Sequence, residues 1–310
     1  GHGTHFLLRR ETVQLVDVAR RTGDDGEVYE FGFDRLKRWV ELCSAAGIEY
    51  FEFSHLFTQW GAAFCPKIVA YGAFLGQFLP ELVAFIRANG LEKRSYFHVS
   101  DEPRLEQLDQ YRAARELITH HLSGFPIMDA LSRYEFYEDV VVDLPIPASN
   151  HIEPFIENEV RPLWTYYCVS QKIDGSNRFF CMPSARNRVL GTQLYKFDVA
   201  GFLHWGYNFW YSQYSRRPVN PFITTDAGAA FPSGDAFLVY PGEDRPISSI
   251  RFEVFREALQ DLRALRLLES LVGRDKTLAI LEEGLEEPIT FSEYPRSADW
   301  VLDLRRRVNA

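Results

Sequence analysis

Two adjacent acids, Asp101 and Glu102, stand in the run Ser95–Arg104, SYFHVSDEPR, directly ahead of Pro103. Adjacent carboxyls can divide a reaction between them, one passing a proton to a leaving group while the other holds developing charge. The residues before them alternate as a strand does. Phe97 and Val99 fall on one face, and Tyr96, His98, Ser100 and Glu102 on the other. Pro103 cannot continue a central strand and suits the first turn of a helix, so both acids are expected where strand becomes helix, the usual seat of chemistry in α/β folds. A plainer reading fits the same letters: Asp101 caps a helix over 105–122 and Glu102 complements the positive end of its dipole. The surrounding elements must decide.

Those elements read as short strands alternating with helices. An extended piece over 12–18 and a turn-rich 21–27 precede a helix that Asp34 is expected to cap and that runs through Leu36, Trp39, Val40 and Cys43 to end before Gly47. Ile48–His55, IEYFEFSH, alternates like a strand and sets Glu52 apart from Phe51 and Phe53, either as a paired core acid or as a substrate contact. LFTQWGAAFCPK then reads as a loop carrying Gln59 and Trp60. A helix over 74–88 stops at Asn89 and Gly90. Short strands are predicted over 126–130, ending near Asp129, and over 140–144, closed by the prolines of PIP. An aromatic stretch follows at 163–168, a helix at 187–197, GFLHWGYNFW at 201–210, a strand at 236–240 and an amphipathic helix over 249–271. This order predicts parallel β/α units, hence a TIM-type (β/α)8 barrel. Residues 1–33 form an N-terminal extended segment joining the barrel. Residues 34–310 form the barrel itself, with a short extra strand and a long C-terminal helical extension. The strand ends carry His55, Asp101, Glu102, Asp129, Tyr167, Tyr207 and Asn208. Convergence of those ends on one rim favours the chemical reading of the acids.

Composition narrows the partners. With 310 residues, 46% hydrophobic, and no apolar run approaching the roughly 20 residues of a membrane span, the chain reads as a soluble globular protein. A formal net charge of −9 argues against nucleic acid or an anionic membrane as partner. The 15% aromatic content suits stacking on sugar faces as well as packing in a large core. Cys43, Cys65, Cys168 and Cys181 follow no metal or disulfide spacing and are expected as free thiols; with GHGTH at the start in place of a secretory leader, they favour a cytoplasmic setting.

HVSDEP, MDALS, LWTYYC, the SNRFF to RNR stretch, GFLHWGYNFW and FPSGDAFLVYPG, in that order, resemble the domain of unknown function 4091, which is similar to the catalytic barrel of glycoside hydrolase family 123. The resemblance runs from about Thr12 to the C-terminus. It implies a β-N-acetylgalactosaminidase that retains configuration, with the substrate's own 2-acetamido oxygen as nucleophile, no enzyme nucleophile and no cofactor or metal. Glu102 maps onto the general acid/base and Asp101 onto the group that holds the acetamide N–H as an oxazolinium ion forms. Tyr167 or Tyr207 is then a donor to the acetamide carbonyl, and Trp60, Trp164, Trp205 or Trp210 a stacking platform. His55 and Asp235 are candidates for sugar hydroxyls, with Asp129 and Asn208 beside them. The substrate is a small carbohydrate or glycoconjugate.

Two departures stand out. The family carries barrel strands and a β-sandwich upstream of the match, so the first strands are expected outside this sequence, or a second copy of the chain covers the bare edges. Between Ala70 and Tyr71 the chain is shorter than the family pattern. A carbohydrate-binding barrel without activity and a glycosidase for another sugar remain as alternatives. A metal-dependent hydrolase using His98, Asp101 and Glu102 fits no familiar ligand spacing.

Overall fold

A computed structural model describes residues 14–23, 26–57, 68–139 and 141–310. They fall into two compact units that divide after Pro145. Trp60, Gln59 and Cys65 lie outside the described residues.

The first unit opens with an antiparallel hairpin, β1 (Asp17–Gly23) against β2 (Gly26–Gly32), in unbroken register from Asp17 opposite Gly32 to Gly23 opposite Gly26. The charges expected to mark a turn over 21–27 instead face one another across the ladder, Arg20 with Glu27 at 3.0 Å and Arg21 with Glu30 at 3.1 Å. Such exposed pairs contribute less than about 1 kcal/mol each. The hairpin is anchored by Tyr29, whose amide donates to Gln77 at 3.0 Å, and by Phe31 packed on Phe74 and Phe78. Helix α1 (Asp34–Ala45) buries Leu36, Val40 and Cys43. Asp34 does not cap it: the preceding Phe33 holds the cap position without a side-chain bond, and Asp34 adds only its charge to the first turn.

Three β/α steps follow. Strand β3 (Phe51–Glu52), helix α2 (Ile68–Ala88), strand β4 (Ser95–Tyr96), helix α3 (Leu108–Thr119), strand β5 (Met128–Leu131), the short helix α4 (Glu135–Glu138) and strand β6 (Leu144–Pro147) come in that order. Strands β3 and β4 are parallel, and a parallel bridge from Phe97 to Ile127 carries the pairing to β5. Leu144 N then donates to Ile127 O at 3.0 Å. Fully buried Leu75, Leu79, Leu82 and Ile86 line one side of α2. Phe97, also fully buried, stacks on Phe53.

Two expectations are corrected here. The strand expected over 140–144 lies over Leu144–Pro147 and runs through the prolines rather than stopping at them. Pro145 and Pro147 are two apart, so both nitrogens face the same edge, while Leu144 N, on the opposite edge, makes the bond to β5. The helix expected over 105–122 opens as a 3₁₀ turn over Leu105–Gln107 and continues as α3 over Leu108–Thr119, which leaves Pro103 outside the first turn it was expected to enter. Asp101 therefore caps no helix.

In the second unit the helix α5 (Glu153–Glu157) leads to β7 (Leu163–Tyr166), parallel to β8 (Val199–Leu203), and Ala148 bridges Tyr166 in the same sense. The helix expected over 187–197 is two, α6 (Ser184–Arg188) and α7 (Leu190–Lys196). Strands β9 (Val239–Tyr240) and β10 (Ile247–Ser248) form a small antiparallel pair. Ser249 caps the long α8 (Ile250–Val272), its hydroxyl accepting from Phe252 N at 3.2 Å. Helices α9 (Arg274–Leu281) and α10 (Ala298–Asn309) complete the unit around Tyr195, Leu265, Leu281, Ile289 and Leu304. Among the described residues each sheet is two-stranded, and single bridges link Phe97 to Ile127 and Ala148 to Tyr166. No described helix is long and apolar enough to cross a membrane. Cys43, Cys168 and Cys181 are free thiols.

Helix α7 meets α8 at Gly191, where an added methyl would lie 1.9 Å from the carbonyl oxygen of Ala258. Relief requires backbone movement, not a side-chain rotation. Gly191→Ala should therefore lose about 1–3 kcal/mol of stability despite the better helix propensity of alanine. Urea unfolding checks this, and an unchanged or raised midpoint would refute close α7–α8 packing.

Candidate active site

Strand β4 and the segment after it set the acid pair. Pairing continues past Tyr96 by single bonds, Leu56 N to His98 O at 2.9 Å and Phe57 N to Val99 O at 3.1 Å. Asp101 and Glu102, both half-buried, then sit on a turn in which Glu102 takes φ 46°. A left-handed backbone at a non-glycine residue persists only where its surroundings over-determine it, and such positions gather at functional sites. The restraint comes from β5. Glu102 N donates to Ala130 O at 3.0 Å, and the carboxylate of the adjacent Asp129 takes Val99 N at 3.1 Å and Ser100 N at 3.2 Å.

Asp129 was expected to meet substrate. It is instead fully buried, and four donors surround its two oxygens: those two amides, the hydroxyl of Tyr111 and His98 Nδ1 at 3.1 Å. Burial leaves its pKa raised, against the lowering effect of His98, Tyr111 and the Ser100 amide. With only donors around it, the group acts as a carboxylate. The other nitrogen of His98 faces the half-exposed Glu52, Nε2 to Oε2 at 3.5 Å. Burial works against a charge on His98, yet the hydrogen bonds and charges of Asp129 and Glu52 outweigh it and raise the pKa to about 9. His55 lies beside it, ring centroids 4.8 Å apart. There burial first, and then the charge on His98, hold the pKa down to about 4. His55, His98 and Asp129 bring possible metal-ligand atoms within 4.8 Å of one another. Both nitrogens of His98 already face carboxylates and both oxygens of Asp129 face donors, so the trio is arranged to share protons.

The second unit carries its own polar cluster. Asp235, fully buried, accepts from Trp205 Nε1 at 2.9 Å and from His204 Nε2 at 3.3 Å. His204 Nδ1 takes Gly206 N at 2.9 Å and Arg178 Nη2 at 2.6 Å, which fixes the ring proton on Nε2. Burial, reinforced by Arg178, lowers its pKa to about 4, so this imidazole is neutral. Tyr167 is fully buried with its ring 5.5 Å from His204, and its hydroxyl has no hydrogen-bond partner. Burial first, and against it the charge of Arg178, leave its pKa raised to about 12, so it stays a donor. Trp205 and Tyr207 are exposed, as is Asn208, while Trp164 lies over β8, where a methyl on Gly201 would come within 2.2 Å of its ring. Trp210 uses its Nε1 on Val239 O at 3.0 Å.

The structure thus groups Asp101, Glu102, Asp129 and His55 in the first unit, and Tyr167, Trp205 and Asp235 in the second. Tyr111, Arg178 and His204 were not singled out as site residues, and His98 entered only as a ligand in the metal-dependent alternative. His98, Arg178 and His204 lie inside the HVSDEP, SNRFF and GFLHWG runs, but nothing in the letters gave their partners.

The chain matches the glycoside hydrolase 123 catalytic domain over residues 4–268, and it belongs to that family. Among solved structures it is similar to a family 123 glycoside hydrolase from Clostridium perfringens, studied for glycolipid glycan hydrolysis, with a TM-score of 0.67 and 19% identity. That similarity covers 94% of this chain and 57% of the other, so the chain spans little more than half the length of that relative. No curated protein matches it.

The raised pKa of His98 ties stability to pH. Its protonated form is favoured by the fold, so the contribution is complete below about 6.5 and is lost as pH rises through about 9. Urea midpoints at pH 7 and pH 10 should fall further apart for the wild type than for His98→Asn. Equal falls would mean that His98 is not held charged.

Proposed function

We propose that this chain is the catalytic domain of a retaining glycosidase that releases terminal β-linked N-acetylgalactosamine, with the substrate's 2-acetamido oxygen attacking the anomeric carbon. Membership of family 123 supports glycoside hydrolysis. The observation that carries the finer reading is the acid pair itself: Asp101 and the left-handed Glu102 are adjacent, half-buried and braced from β5. Neighbouring carboxyls on so tight a turn are suited to two different parts of one sugar. Glu102 protonates the glycosidic oxygen and then takes a proton from water. Asp101 accepts the acetamide N–H and stabilises the positive charge of the oxazolinium ion. This is the substrate-assisted exception among glycosidases.

For the scaffold, we favour a TIM-type (β/α)8 barrel. Its support is the succession of parallel neighbours in chain order, β3 to β4, Phe97 to Ile127, Ala148 to Tyr166 and β7 to β8.

A panel of nitrophenyl glycosides with and without a 2-acetamido group tests the reading. Only the acetamido sugars should turn over. Glu102→Gln should slow poor leaving groups by about 10² to 10⁴ and activated aryl groups less, the usual worth of a general acid; equal losses on both would remove Glu102 from that role. Asp101→Asn should raise the barrier by about 3–4 kcal/mol, comparable to losing one oxyanion-type contact, and a folded variant with wild-type rates would exclude it. A thiazoline mimic of the bicyclic intermediate should bind far more tightly than N-acetylgalactosamine. An activated 2-fluoro glycoside should leave the protein's mass unchanged, and an adduct on any Asp or Glu would replace substrate assistance with a covalent enzyme intermediate.

A further inference from the structure

We propose that Asp129 is a positioning residue that sets the direction in which Asp101 and Glu102 leave the sheet, and that His98 and Glu52 extend this brace to β3. The inference rests on the acid-pair reading above and adds to it residues that touch no substrate.

The geometry is local and complete. Val99 and Ser100 are the two residues ahead of Asp101, and both of their amides end on Asp129 Oδ2, at 3.1 and 3.2 Å. The amide of Glu102 ends on the carbonyl of Ala130, the next residue of β5, at 3.0 Å. Three amides in a span of four residues are therefore fixed from two consecutive residues of one neighbouring strand. A strand ladder would spread such bonds over alternate residues and keep the chain extended. Here one carboxylate gathers two successive amides, as backbone does only where it curls around an anion. That curl is what lets Glu102 enter the left-handed region.

The carboxylate is held in turn. Tyr111 on α3 donates to Oδ2, and His98 Nδ1 lies 3.1 Å from Oδ1. His98 Nε2 reaches Glu52 on β3 at 3.5 Å. The titratable groups facing His98 are thus Asp129 from β5, Glu52 from β3 and His55 from the segment after β3, with Tyr111 of α3 joined through Asp129. A protonated imidazole between two carboxylates can serve both at once, whereas a neutral one can donate to only one of them. A bare hydrophobic filling at 98 and 129 would keep the fold's volume but leave the amides of Val99 and Ser100 without acceptors.

Hydrogen–deuterium exchange and kinetics on Asp129→Asn and Glu52→Gln test this. Asparagine keeps the shape but offers one acceptor oxygen in place of two. In Asp129→Asn the amides of Val99, Ser100 and Glu102 should exchange at least about tenfold faster while amides of α8 are unchanged. On 4-nitrophenyl N-acetyl-β-galactosaminide, kcat of the folded protein should fall about 10- to 100-fold with KM within about twofold, because misplacement of a reacting group slows the chemical step. Glu52 is half-exposed, so Glu52→Gln should fold. It should move loss of activity on the alkaline side to lower pH and bring the His98 ring titration, read by NMR, down with it.

If wild-type protein turns over none of the glycosides, the functional proposal fails while the exchange measurement still decides the positioning role. Unchanged exchange at Val99, Ser100 and Glu102 in Asp129→Asn overturns it. Should that variant not fold, an unchanged His98 titration and unchanged exchange in Glu52→Gln overturn it instead. A lower melting temperature with unaltered kcat would mark Asp129 as structural only, and would overturn it too.

Discussion

A single buried carboxylate, Asp129, fixes the backbone on which the acid pair stands. Charge buried without partners is prohibitive, and a carboxylate surrounded by donors is among the strongest constraints a core can hold. Asp129 has two amides, a phenol and an imidazole around it. Because the amides belong to Val99 and Ser100, the same interaction that satisfies the charge also bends the chain just ahead of Asp101. The helix α3 contributes Tyr111 to this arrangement, so the late start of α3 and the long turn before it are compatible with a well-ordered acid pair.

The second unit repeats the device with the opposite outcome. Asp235 is as deeply buried as Asp129 and also faces a histidine. What differs is the histidine's other nitrogen. His98 turns it towards Glu52, a second carboxylate, and is charged. His204 turns it towards a backbone amide and Arg178, and is neutral. One buried acid thus stabilises an imidazolium while the other orients an uncharged ring and an indole N–H.

The alternation of short strands and helices was legible from hydrophobic period and turn residues, and the ends of α2 and α8 fell close to their punctuation at Asn89 with Gly90 and at Ser249. The acid pair was legible because two carboxyls before a proline are conspicuous. The hairpin was not, since Arg20, Arg21, Glu27 and Glu30 look like solvated loop until their cross-strand partners are known. Asp34 failed as a cap and Pro103 lies outside the first turn it suited, for a common reason: local propensity names residues able to begin a helix, while tertiary pairing selects the residue that does. Asp129 was placed at a strand end by its letters, yet its burial and its partners, His98 to Ser100 and Tyr111, lie beyond any local window. The same holds for Arg178, whose bonds reach 26 and 28 residues away.

The three histidines of the two clusters share a property that follows from their partners. His55 and His204 titrate near 4 and His98 near 9. None of them changes charge between about pH 5 and pH 8, the interval in which an ordinary imidazole would. The electrostatic field that these side chains supply is therefore a fixed background across that interval. A proton taken up or released there belongs to other groups, and the clusters act as permanent dipoles rather than as buffers.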